Sequence, residues 1–262
     1  MAEACEHGAA SHDGMEPSMA SAPEASLAWL LVEHPGPWPH EPAEAVFPAP
    51  LDAIVASAVE LGIRVQLIRR PGAPRRGREG AGRGAPRALG VGGASVGSGV
   101  TGVFAGWIVG SDPWLRRGEV VNGAGWPDGL ELSRLAGGQD LAFGSPVSEA
   151  VFLVCGHAQR NACCARFGGP LAQALAARYP GQVFQTTHVG GHRFAANLVI
   201  LPHGLYYGPV GLAEATAAIG AYERGAVTPG RYRGRAGQPR PTQQAEHEAL
   251  TRVGSLRVAA LA

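Results

Sequence analysis

The order of apolar runs predicts an α/β protein, with a smaller βαβ-containing lobe followed by a C-terminal domain built on a mixed sheet. Three observations carry this reading. Two short apolar runs in the first third flank a stretch of helical periodicity. A continuous apolar run at 150–155 opens a second series of strands and helices. Stretches rich in Gly, Arg and Pro interrupt the pattern and mark where packed structure gives way.

Residues 1–26 are rich in Ala, Ser, Glu and Pro without a period, and are expected to form a mobile N-terminal arm in which Cys5 and His7 carry no role. Packed structure is expected to begin at 27–32 (LAWLLV), a buried strand feeding the loop His34-Pro35-Gly36-Pro37. Leu51, Ile54, Val55, Ala58 and Leu61 then recur at helical spacing, and Gly62 stands where a helix stop belongs. Residues 64–68 (RVQLI) alternate as a strand. Residues 71–102 hold eleven glycines and bury too little to offset their ordering entropy, which predicts a flexible insertion. A strand resumes at 103–109, followed by loops with short helical pieces around Trp114 and Trp126. This N-terminal lobe covers 27–147.

The C-terminal domain covers 148–224. It is expected to run from a core strand at 150–155 to a helix at 170–178, with Pro170 in the tolerated first turn. A strand at 183–187, a Gly-Gly turn, a hairpin across Pro202-His203-Gly204 and a helix at 212–222 follow. That β–α–β–β–β–α order is compatible with a thioredoxin-like domain. Tyr206 and Tyr207 are neighbours on a strand, so one is expected to face the core and the other solvent. Residues 225–262 read as an Arg/Gly/Pro-rich tail with a short surface helix. No strong internal repeat is visible, although both halves open with a βαβ-like pattern.

A hydrophobic content of 45% and a charged content of 16% describe a soluble globular chain. No apolar run approaches the ~20 residues of a membrane span, and the N-terminus lacks the basic start and apolar core of a secretory signal. The net charge of +1 makes neither nucleic acid nor membrane an obvious partner. All 22 basic residues are Arg, which with the abundant Gly and Ala looks like coding bias rather than an anion site. Four cysteines are too few for a disulfide scaffold in a chain of this size, so the expectation is a reducing cytoplasm with thiolates free for metal or redox chemistry.

The chemistry concentrates between Cys155 and His192, in CGHAQRNACC and then HVGGH. As ligands, Cys155, Cys164, His188 and His192 give Cys-x8-Cys followed by His-x3-His. Each pair follows a predicted strand, and loops at the carboxyl ends of neighbouring parallel strands lie side by side. The double Gly between the histidines favours a turn that lets backbone approach a compact cofactor. Cys164 is expected just ahead of a helix, whose free N–H groups favour a thiolate, with Arg160, Arg166 and Arg193 adding positive charge. Two thiolates and two imidazoles suit a tetrahedral zinc ion or a [2Fe–2S] cluster with Cys₂ on one iron and His₂ on the other, and spacing alone decides neither. His157 reads more readily as a hydrogen bond to a local carbonyl than as a ligand, His203 within Pro-His-Gly as turn chemistry, and the five Trp as core and interface anchors rather than an electron path.

The segments CGHAQRNACCARFGGPLAQAL and HVGGHRFAANLVILPHGLYYG resemble the sucrase/ferredoxin-like family, as do LLVEHPGPWP near the start and RYRGRAGQP near the end. The likeness covers most of 27–240. It implies a thioredoxin-like ferredoxin with a mixed Cys/His [2Fe–2S] cluster. Carried over position by position, Cys155 and Cys164 match the cysteine ligands and His188 and His192 the histidines, with Cys163 a spare or packing thiol. The expected function is one-electron transfer between an unidentified redox donor and acceptor, at roughly −150 to +300 mV if the centre is Rieske-like. Sugar hydrolysis would need two suitably spaced carboxylates, and no such pair stands out. The rival readings are a zinc-stabilised binding module on the same four ligands and a thiol-disulfide oxidoreductase, the latter weakened by the missing Cys-x-x-Cys.

Overall fold

The first strand, β1 (Ala28–Glu33), is buried at five of its six positions, as an apolar run covered on both faces must be. The computed structural model describes residues 21–72 and 99–261. Cys5, His7, most of the expected arm, and positions 73–98 of the expected insertion lie outside the described residues. A helix, α1 (Leu51–Glu60), follows β1 and buries Leu51, Ile54, Val55 and Ala58, the positions its periodicity marks. Gly62 ends it at φ +72°, a conformation that glycine adopts without strain. The chain returns through β2 (Arg64–Arg69), which pairs in parallel with β1.

Strand β3 (Val100–Trp107) lies antiparallel to the other side of β1, and β4 (Trp114–Val121) antiparallel to β3. The loops expected around Trp114 are therefore partly a strand. Only Leu115 and Val120 are buried in it, too few to give a period-two signal among Arg116, Arg117 and Glu119. A short helix, α2 (Leu132–Ala136), and the edge strand β5 (Ser145–Pro146) complete this half.

The second half repeats the plan. Strand β6 (Val151–Cys155) leads into α3 (Ala162–Arg178), and β7 (Val183–Thr186) returns parallel to β6. Strand β8 (Leu198–Leu201) is antiparallel to β6, β9 (Leu205–Tyr207) antiparallel to β8, and α4 (Leu212–Glu223) follows. Both halves thus show the spatial order fourth–third–first–second strand. They meet where β2 and β7 pair antiparallel, Ile68 opposite Thr186 and Arg69 opposite Gln185, inside one ten-stranded mixed sheet. The repeat is one of topology, and it escaped the sequence because different side chains satisfy the same burial pattern. The second half has the β–α–β–β–β–α order of the expectation, and the chain is α/β with a thioredoxin-like arrangement of strands.

Helix α3 starts eight residues earlier than the sequence suggests. Asn161 caps it, its Oδ1 accepting from the Cys163 N–H at 2.9 Å, so Pro170 stands inside the helix rather than in its first turn. The tyrosine expectation also fails: Tyr206 and Tyr207 are both fully buried. Even-numbered positions of β6 pack with α3 and α4, whereas odd-numbered positions pack with Trp29, Leu31, Phe104 and Phe184 from both halves, so neither face of this part of the sheet meets solvent.

The last segment adds β10 (Ala226–Val227), β11 (Tyr232–Arg235), α5 (Arg240–Val253) and β12 (Leu256–Arg257). Strand β11 extends the main sheet beside β9, and β10 pairs with β12. Arg235 Nε donates to Glu246 Oε1 at 2.8 Å, and the Tyr232 hydroxyl donates to Glu246 Oε2 at 2.9 Å, all three residues being buried. This network ties α5 to β11. No helix among the described residues is long and apolar enough to cross a membrane. Glu246→Ala leaves the Arg235 guanidinium buried and unpaired and is expected to cost about 3–5 kcal/mol, measured as the fall in unfolding free energy in urea.

Candidate metal centre

Parallel pairing of β6 and β7 sets Cys155 opposite Thr186, so the loops that follow the two strands leave the sheet side by side. Cys155, at the end of β6, is fully buried among the odd-position cluster. The chain then turns through Gly156 and His157 to the Asn161 cap, placing Cys164 in the first turn of α3, also fully buried. Gly168 makes this crossing possible, since a Cβ there would overlap the Cys155 carbonyl oxygen. Past β7, the Thr187 and Leu67 backbones stay paired, and half-buried His188 comes over the two sulfurs. Its Nδ1 lies 3.9 Å from Cys155 Sγ and 3.8 Å from Cys164 Sγ.

These three side chains form a group able to hold a metal ion, with all ligand atoms within 4.8 Å of one another. The fourth expected ligand, His192, is exposed and stands beside the group, its ring centroid 6.4 Å from that of His188. Gly190 and Gly191 between them have φ of +101° and +67°, the left-handed turn that the double glycine implies. Cys155 and Cys164 are free thiols. Cys163 is not the spare thiol expected: it is disulfide-bonded and offers no thiolate.

The two thiols are hydrogen-bonded to each other, so their ionisations are linked. A hydrogen bond from Cys164 holds the Cys155 thiol well below its ordinary range, aided by His188 and opposed by burial. Cys164 is pushed up by the same hydrogen bond, by burial and by the charge on Cys155. Of the arginines expected to add charge, Arg160 bonds Glu41 and His40 beside the site, and Arg166 and Arg193 lie over Phe167 and Phe194. A metal held here would take both sulfurs as thiolates.

His157 holds the loop in place. Its Nδ1 accepts the His188 backbone N–H at 3.2 Å, which puts the proton on Nε2, and Nε2 donates to the Pro39 carbonyl at 2.7 Å. Burial lowers its pKa and keeps it in this neutral form. Arg64 Nη2 donates to the His188 carbonyl at 3.3 Å, the Tyr206 hydroxyl to the Val189 carbonyl at 3.1 Å, and Asn197 Nδ2 to the Gly191 carbonyl at 3.0 Å. A hydrogen bond from His157 to a carbonyl is as the sequence suggests, although Pro39 is far from it in the chain, whereas Arg64, Tyr206 and Asn197 carried no readable signal. His203 lies at the β8–β9 turn, at the opposite end of β6 from Cys155. Burial pushes its pKa down to about 4 and its Nδ1 pairs with the Tyr222 hydroxyl at 2.6 Å.

An open cleft of about 310 Å³ lies over His188, lined among others by His40, Glu41, Arg64, His157 and Arg160. Among the described residues, Glu41 is the only acid in that lining. A family model described as sucrase/ferredoxin-like matches residues 21–234. No curated protein and no solved structure matches the chain.

Two substitutions probe this arrangement. His157→Leu removes the acceptor that fixes the His188 backbone and should weaken metal affinity about 10–100-fold, read by competition with a chromophoric chelator. Gly168→Ala forces α3 away from Cys155 and should cost about 1–3 kcal/mol of stability in thermal unfolding.

Proposed function

The chain belongs to the sucrase/ferredoxin-like family, and from that premise we propose that it is a one-electron carrier whose [2Fe–2S] cluster is held by Cys155, Cys164, His188 and His192. The observation that carries this reading is the convergence of two free, buried thiols with the His188 imidazole at the ends of two parallel strands. The donor set fits the group: two sulfurs on the inner side and two imidazoles, His188 half-buried and His192 exposed, on the outer side. Mixed Cys₂His₂ ligation is that of a Rieske-type centre, and such a cluster supplies a site that takes up and releases one electron.

The chain's own residues provide the rest. Burial of both cysteines keeps water from the sulfurs, and the hydrogen bonds from His157 and Arg64 hold the His188 backbone from both sides. Exposed His192 brings the outer edge of the site to the surface, where a redox partner can dock without entering the fold. The cleft lining offers one carboxylate, not the pair that glycoside hydrolysis uses.

A second reading has one observation in its favour. Cys155, Cys164 and His188 form a tight triangle from which His192 stands apart, an arrangement that also suits a single zinc ion. Anaerobic purification separates the two. The cluster reading expects a red-brown protein with two iron and two acid-labile sulfide per chain and a low-temperature EPR signal after reduction. A colourless protein with one zinc per chain sinks it. His192→Cys is expected to keep the cluster with an altered spectrum and a lower potential, and Cys155→Ser to lose most of the iron.

A further inference from the structure

A second feature of the ligand loop comes from forty residues downstream. Arg233, on β11, is among the largest fully buried side chains, 1% exposed. Its Nε donates to Ser21 Oγ at 2.9 Å, its Nη2 to the Ser21 carbonyl at 3.0 Å, and its Nη1 to Asn197 Oδ1. The guanidinium carbon lies 4.4 Å from the Phe194 ring centroid and 5.8 Å from that of Tyr206. Among the described residues no carboxylate pairs with it, in contrast to Arg235 two positions on, which has Glu246. Burial without a counter-ion lowers its pKa only to about 10, so it is charged at neutral pH.

An unpaired cation inside a protein is costly unless an anion is nearby. The guanidinium lies directly under the turn between the two histidines: a Cβ on Gly191 would overlap its Nη2. Through Asn197 it also reaches the Gly191 carbonyl, which accepts from Asn197 Nδ2 at 3.0 Å. Tyr206, whose hydroxyl holds the Val189 carbonyl, feels the charges of both Arg233 and Cys155. Charge and hydrogen bonds around a cluster are among the levers that set its potential.

We infer that Arg233 is a positioning residue for the metal centre: its guanidinium clamps the 188–192 loop from below, and its fixed positive charge favours the electron-loaded state of the group bound above. The second half of this inference rests on the [2Fe–2S] reading; the first does not. A Cys₂His₂ cluster gains one negative charge on reduction, and a buried cation beneath it stabilises that charge without moving.

The test compares wild-type protein with Arg233→Met, which removes the charge, and Arg233→Lys, which keeps the charge but loses the forked donors. In hydrogen exchange of the metal-free proteins, the Phe194 and Ala195 amides, bonded to the Gly191 and His192 carbonyls, should exchange at least tenfold faster in both variants, with β1 unchanged. In spectroelectrochemical titration of the loaded proteins, Arg233→Met should lower the midpoint potential by 59 mV or more, a tenfold change for one electron, while Arg233→Lys stays nearer wild type. Unchanged exchange at Phe194 and Ala195, or an unchanged potential in loaded Arg233→Met, overturns the inference. If Arg233→Met does not fold, Arg233→Lys decides it: faster loop exchange sustains the clamp, and wild-type exchange overturns it. Wild-type protein without iron and sulfide overturns the electron-carrier reading alone, and the exchange measurement then decides the role of Arg233.

Discussion

The parallel register of β6 against β7 is the constraint on which the site depends. Because Cys155 lies opposite Thr186, the chain leaving β6 and the chain leaving β7 emerge within a few ångströms of each other at the same edge. A one-residue slip would turn Cys155 from the odd-position cluster to the helix-covered face and separate its sulfur from His188. Register is fixed by burial on both faces. Phe152 and Val154 are committed to the helix layer, and Val151, Leu153 and Cys155 to the layer shared between the halves.

That shared layer ties the site to the N-terminal half. Strand β2 supplies the partner edge for β7, and its extension through Leu67 and Thr187 carries the strand pairing almost to His188. Arg64 and Pro39, both from the N-terminal half, then bond the His188 carbonyl and the His157 side chain. A C-terminal half on its own would leave the edge of β7 open and the His188 loop held on one side only. The repeated strand order of the two halves gives each a central parallel pair flanked by antiparallel strands, and their antiparallel junction makes one continuous sheet of them.

The interior of the site is arranged to be dry and anionic at a small number of atoms. Two thiols in contact cannot both ionise cheaply without a cation. The loop around them is held by neutral donors and acceptors, His157, Tyr206 and Asn197, together with the cations Arg64 and Arg233. No buried carboxylate among these competes with the sulfurs for a metal.

The sequence by itself determined the α/β class, the β–α–β–β–β–α order of the second half and three residues that converge, Cys155, Cys164 and His188. These are written locally: apolar runs set strands, and Cys-x8-Cys and His-x3-His stand beside the strand ends that must present them. The turns of this helix ahead of Pro170 went unread, because Gly and Pro in its middle masked the periodicity. What tertiary structure alone decided is non-local. The burial of both Tyr206 and Tyr207, the meeting of the halves at β2 and β7, and Arg233 beneath a loop forty positions earlier in the chain all follow from which strands become neighbours. Neighbourhood in a sheet is set by packing of whole faces across long loops, and no window of sequence contains it.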